Sequence, residues 1–118
     1  MIRVPPDAPP ATPIETYADN LRAIVAKLRE TGATLVWAQS TPVPQRVPSM
    51  RNDDVERYNE RARLVMSELD VTIDDLYTFA ARQSEPITRG QTDVHLSKAG
   101  GLLLGNRVAE TIRGRLRN

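Results

Sequence analysis

Thr31-Gly32-Ala33-Thr34-Leu35-Val36-Trp37-Ala38 decides the fold. From Ala33 to Ala38 the run is apolar at both odd and even positions, the pattern of a strand covered on two faces rather than one. Gly32 in front of it is a natural terminator for a helix. Such a helix is legible upstream, where Ile14, Tyr17, Leu21, Ile24, Val25 and Leu28 recur at three- and four-residue spacing. Thr12-Pro13-Ile14-Glu15 supplies a hydroxyl N-cap, a proline at the first helical position and a glutamate at the third. Helix, glycine and buried strand in that order belong to α/β proteins.

Beyond the strand, Ser40-Thr41-Pro42-Val43-Pro44-Gln45-Arg46-Val47-Pro48 is too rich in proline for regular structure. It lies just past the carboxyl end of the strand, where open α/β sheets bind their ligands. Asp53-Asp54-Val55-Glu56 gives a second capping pattern, and Val55, Tyr58, Ala62, Val65, Met66 and Leu69 then share one helical face. Val71-Thr72-Ile73 reads as a short strand and Asp74-Asp75-Leu76-Tyr77 as the start of a short helix, capped by the aspartates. Ser84 to Val94 reads as a loop, Ser97 as an N-cap, and the remainder as a helix burying Leu104, Val108, Ile112 and Leu116. Residues 1–12, with Pro5, Pro6, Pro9 and Pro10, read as an extended connector without the apolar core of a secretion signal.

Two parallel strands leave both edges unpaired and the helices short of sheet to cover. The sequence therefore predicts either association with a partner or membership of a larger domain. Composition narrows the function. The 118 residues are 40% hydrophobic and 26% charged, ordinary for a folded domain, and no run approaches the roughly 18 apolar residues of a membrane span. There is no cysteine and a single histidine, His95, so a zinc site has little to build on and no metal or other cofactor is expected. Fourteen arginines and two lysines face fifteen acids, which leaves a net charge of +1 and no summed field for nucleic acid. With five aromatics, base-stacking platforms are scarce as well. The Arg113, Arg115, Arg117 series suits the negative end of a helix dipole.

Several stretches together resemble the C-terminal half of SGNH hydrolases, the GDSL-type esterase and lipase superfamily. Tyr17-Ala18-Asp19-Asn20-Leu21 resembles the family's helix before its fourth strand, and Thr31 to Pro44 that strand and its loop. Asp54-Val55-Glu56-Arg57-Tyr58-Asn59 resembles the following helix, and Thr72-Ile73-Asp74-Asp75-Leu76-Tyr77 the fifth strand. The most diagnostic block is Asp93-Val94-His95-Leu96-Ser97-Lys98-Ala99-Gly100, which resembles the segment where an acid and the catalytic histidine precede a capped helix. The resemblance implies a flavodoxin-like α/β fold, represented by its last two parallel strands and flanking helices. It also implies that residues 1–118 are the C-terminal half of one domain. No Gly-Asp-Ser nucleophile block, oxyanion glycine block or Gly-x-Asn-Asp block occurs in the chain. Many family members place the acid three residues before the histidine, a position held here by Thr92, whereas Asp93 stands two before it.

The implied chemistry is hydrolysis of a carboxylic ester, for instance an acyl group on a carbohydrate or lipid. A serine attacks the carbonyl, His95 takes its proton, and Asp93 orients the imidazole. Residues two apart in extended chain project to one side about 6.5 Å apart, which lets a carboxylate reach Nδ1. Taken alone, Asp93 would be a turn residue and His95 a half-buried loop residue. Ser40 and Thr41 lack the surroundings of a nucleophile elbow and serve better as turn residues. Ser97 would be engaged with helix amides, and Arg46 and Arg51 would be solvated unless a substrate carboxylate or sugar met them. Without a nucleophile the chain alone is expected to be inactive, and to self-associate or pair with the missing half. A non-catalytic module docking through its unpaired strand edge is the rival reading.

Overall fold

The computed structural model describes residues 9–47 and 50–116. The connector expected over 1–12 therefore lies largely outside the described residues, as do Pro48 of the loop and Arg117 of the arginine series. Among the described residues, four helices and four short strands occur in the order α1 (Ile14–Arg29), β1 (Val36–Ala38), α2 (Asn52–Glu68), β2 (Thr72–Asp74), α3 (Leu76–Ala81), β3 (Thr88–Gly90), β4 (Asp93–Leu96) and α4 (Lys98–Leu116). β1 pairs with β2 in parallel, with Trp37 opposite Ile73 and Ala38 opposite Asp74. Helices flanking a parallel strand pair make the expected α/β architecture of a partial flavodoxin-like fold.

Because side chains alternate along a strand, the two faces of this pair are distinct. Leu35, Trp37 and Ile73 turn to a core made by Ala18, Leu21 and Val25 of α1 and Ala62, Val65 and Met66 of α2. Arg61 and Glu15 form a two-pronged ion pair at 3.0 and 3.1 Å across the outside of the same helix pair. Asp74, on the opposite face from Ile73, reaches Arg107 of α4 at 3.1 Å. A second, smaller core gathers Leu76 and Ala80 of α3, Ile87, and Leu104 of α4.

Several expectations are corrected in detail. The first helix is capped by Pro13 without a side-chain hydrogen bond, so Thr12 is not its N-cap. Instead the Thr12 carbonyl accepts the Tyr58 hydroxyl at 2.6 Å. The second helix begins at Asn52, just ahead of the aspartates, because Asn52 clasps Val43 through both ends of its amide at 2.8 and 2.9 Å. Gly32 does carry the left-handed backbone after α1, at φ 75°. Ser84 to Val94 is not all loop, for β3 and β4 form an antiparallel hairpin with an irregular register. Polar residues such as Thr88, Arg89, Gln91 and Thr92 hide its alternation. The strand through Leu35-Val36-Trp37 is only half-buried, and Ile112 and Leu116 of α4 are 46% and 76% exposed. Their apolar stripe has no cover among the described residues.

Candidate active site

Asp93 opens β4 and His95 is its third residue, so the extended backbone sets both side chains on one side. Nδ1 of His95 lies 2.6 Å from Oδ1 of Asp93, and the same oxygen accepts the backbone N–H of His95 at 2.9 Å. A carboxylate can only accept, so in this contact Nδ1 is the donor, and Nε2 is the ring nitrogen turned away from Asp93. These two hydrogen bonds, the backbone one first, hold the Asp93 carboxyl below its ordinary value. The His95 side chain is 74% exposed, against the half-buried position expected for an ordinary loop histidine, and that of Asp93 is 37% exposed.

The chain just past His95 is held firmly. The Ile87 carbonyl accepts the Ser97 N–H at 2.9 Å and its hydroxyl at 3.3 Å, while the same hydroxyl accepts the Gly100 N–H at 3.0 Å. Ser97 is thus the expected helix cap, and its oxygen is occupied. Gly100 presses its Cα against Ile87, and a Cβ built there would collide with the Ile87 backbone. Only glycine allows α4 to start this close to the strand leading into the hairpin.

At the carboxyl ends of β1 and β2 lies a buried polar network. Trp37 Nε1 donates to Gln39 Oε1 at 2.7 Å, Gln39 Nε2 donates to the Asn59 carbonyl at 2.9 Å, and the Asn59 side chain exchanges two hydrogen bonds with the Ser40 backbone at 2.8 and 3.0 Å. Ser40 contributes its backbone, as a turn residue would. Asp75 caps α3 through the Thr78 N–H at 3.1 Å, whereas Asp74 ends β2 with its side chain 1% exposed and only Oδ1 partnered. The pair of aspartates expected as one cap is therefore split between a cap and a buried ion pair. Sequence reasoning missed Gln39, Asn59, Arg107 and this role of Asp74. Gln39 and Asn59 sit inside the family-like stretches, but nothing in their spacing marks them as buried.

The proline-rich loop crosses to the hairpin, where the Arg46 N–H donates to the Gln91 carbonyl at 3.1 Å. Arg46 and Arg51 expose their side chains, and Arg51 is the backbone cap of α2. Between this loop, α3 and β3 is an open groove of about 550 Å³, lined on one side by Pro42, Val43 and Pro44 and on the other by Ala80, Ile87 and Thr88. Thr88 pairs with Leu96 of β4, so one wall of the groove is the strand beside the one carrying Asp93 and His95.

Among the described residues no cluster of three or more potential metal ligands forms and no helix is long and apolar enough to cross a membrane. No curated protein sequence matches the chain. Residues 6–101 match the GDSL-like Lipase/Acylhydrolase family, a span that takes in α1 to α3, the parallel strands, the hairpin bearing Asp93 and His95 and the Ser97 cap. On that match over most of its length, the chain belongs to the GDSL-like lipase and acylhydrolase family of ester hydrolases.

Proposed function

We propose that residues 1–118 form the C-terminal part of a serine acylhydrolase, with His95 as its general base and acid and Asp93 as the group that orients it. The 2.6 Å contact between Asp93 Oδ1 and His95 Nδ1 carries this reading. It selects the tautomer in which Nε2 can take a proton, the one a serine nucleophile requires. The serine and the oxyanion donors come from a segment outside these residues. In the first step its hydroxyl oxygen bonds to the ester carbonyl carbon and its proton passes to Nε2. The imidazolium, balanced by Asp93, then protonates the leaving alcohol as the ester bond breaks. Water repeats the sequence on the acyl-enzyme and frees the acid.

Supplied with the complementary segment, the chain should hydrolyse short-chain aryl esters, and His95→Ala should abolish turnover. Asp93→Asn should lower kcat on the order of 10²–10⁴-fold with KM little changed, since it disorients the histidine without emptying a pocket. A neutral Asp93→Asn beside a dead His95→Ala would place the acid elsewhere, with Thr92→Ala as the control. The chain alone should neither turn over these esters nor react with a fluorophosphonate probe. Stoichiometric labelling of a serine in it would overturn the reading and point to Ser40.

The open edges of the β1–β2 pair and the exposed Ile24 and Leu28 beside it also favour a second reading, a non-catalytic module that docks through this edge. Both readings expect the chain to self-associate or take up a partner, visible by light scattering across a dilution series. Only the hydrolase reading expects His95→Ala to matter once the partner is bound.

A further inference from the structure

Helix α2 carries asparagines at 52 and 59, seven residues apart and therefore on one face of the helix. Each engages its amide in the same way. Asn59 exchanges two hydrogen bonds with the backbone of Ser40, and Asn52 exchanges two with the backbone of Val43, at 2.8 and 2.9 Å. A side-chain amide that accepts a residue's N–H and donates to its C=O stands in for a strand partner. Val43 has no such partner in its own loop, since the prolines on either side of it lack an N–H. Asn59 thus holds the loop where it leaves β1, and Asn52 holds it three residues further out. Three residues past that clasp, the Arg46 N–H donates to the Gln91 carbonyl at 3.1 Å, and the Pro44 carbonyl accepts the Val47 N–H at 3.4 Å to close the turn between.

Gln91 and Thr92 form the turn between Gly90 and Asp93, which face each other across the hairpin. Among the described residues, the Arg46 bond is the one hydrogen bond from this turn to a residue outside the hairpin. At the other end, Ser97 is tied to the Ile87 carbonyl through both its N–H and its hydroxyl. Asp93 and His95 are strung between these two anchors. Asp93 stands two residues after Gln91, and His95 two residues before Ser97. The strand has little packing of its own to hold it, because Val94, His95 and Leu96 are all exposed. Where contacts are this few, the anchors decide where the pair stands against the scaffold.

From this run of contacts we infer that Asn52 is a positioning residue for Asp93 and His95: its clasp on Val43 fixes the loop whose Arg46 N–H holds the Gln91 end of the hairpin. The consequence for turnover rests on the hydrolase reading, but the coupling is testable in the chain alone. In the full chain, Asn52→Ala should speed amide exchange at Arg46 about tenfold, the equivalent of one hydrogen bond. The His95 amide, which donates to Asp93 Oδ1 at 2.9 Å, should follow by about threefold, and the Asp93 carboxyl should titrate closer to a free aspartate. Val25 and Val65 in the enclosed core should keep their protection. Asn52→Asp separates the clasp from the helix, because its carboxylate still accepts the Val43 N–H and suits the first turn of α2 but donates nothing to the Val43 carbonyl. It should free Arg46 and His95 by about threefold and twofold without loosening α2. With the complementary segment supplied, Asn52→Ala should lower kcat about tenfold with KM within about twofold. Faster exchange at Arg46 with the His95 and Asp93 signals unmoved would overturn the inference, since the clasp would then shape the loop alone. Uniform loss of protection in Asn52→Ala with no change in Asn52→Asp would overturn it as well, since α2 and not the clasp would be at work. If the coupling is absent while turnover still depends on His95, the inference falls and the hydrolase reading stands. If the coupling is present while His95→Ala is neutral, the coupling stands and the hydrolase reading falls.

Discussion

The region from α1 to β2 and the region from α3 to α4 are built to different depths. In the first, Ala18, Ala62 and Val65 are completely enclosed and Met66 is 1% exposed. In the second, the best-covered side chains, Leu76, Ala80, Ile87 and Leu104, still expose 7–8% and belong to a smaller cluster. Two long amphipathic helices crossing one face of a sheet exclude water where a six-residue helix, an irregular hairpin and the start of α4 do not. The second region holds its shape instead through specific devices: the Ile87 carbonyl gripping Ser97, the close approach at Gly100, and the Asp74–Arg107 pair that ties α4 to β2. The Asp93–His95 pair, to which the proposed hydrolase reading gives the catalytic role, sits in this lightly packed region. A packed scaffold thus stands on one side and a pinned, solvent-facing hairpin on the other.

Substitutions can break that contrast. Met66→Ala leaves a cavity in the enclosed core and should cost about 3 kcal/mol, read as a lowered denaturant midpoint. An effect under about 1 kcal/mol would mean that the first region is no better packed than the second. Gly100→Ala should cost about 2 kcal/mol, because its Cβ meets Ile87 backbone that no side-chain rotation can clear. Amide exchange should then rise through α4 and the hairpin while α1 and α2 keep their protection; uniform loss would show that the two regions unfold as one. Ser97→Ala removes a helix cap and should cost about 1 kcal/mol, confined in the same way.

The smallest effect is electrostatic. Because hydrogen bonds to His95 depress the Asp93 carboxyl, its contribution is present above the ordinary aspartate range and is lost as the pH falls through the lowered value. The Asp93 carboxyl carbon, followed by NMR, should therefore titrate below the roughly 3.9 of a free aspartate. A midpoint at or above that value would mean the dyad is not formed in solution.

Local pattern was enough for the kinds and order of elements in the first region, but not for how they are covered: the strand read as covered on two faces is half-buried. The three-four spacing of Leu21 and Val25, the left-handed Gly32 and the unbroken apolar run at Leu35-Val36-Trp37 all report on contacts their own elements must make. Asp93 and His95 were singled out by the family resemblance of their block, and the two-residue spacing only allowed the contact that the extended β4 backbone makes. Helix starts were less legible: Asn52 opens α2 because Val43, nine residues earlier, returns to meet it. The hairpin was illegible, since its exposed strands alternate nothing and are held by pairing across a turn. Tertiary structure alone decided that Asp74 is buried against Arg107, 33 residues on, while its neighbour Asp75 caps a helix. One sequence pattern served both aspartates, and what separates them is which side of a strand faces a helix, a fact of packing that no local spacing carries.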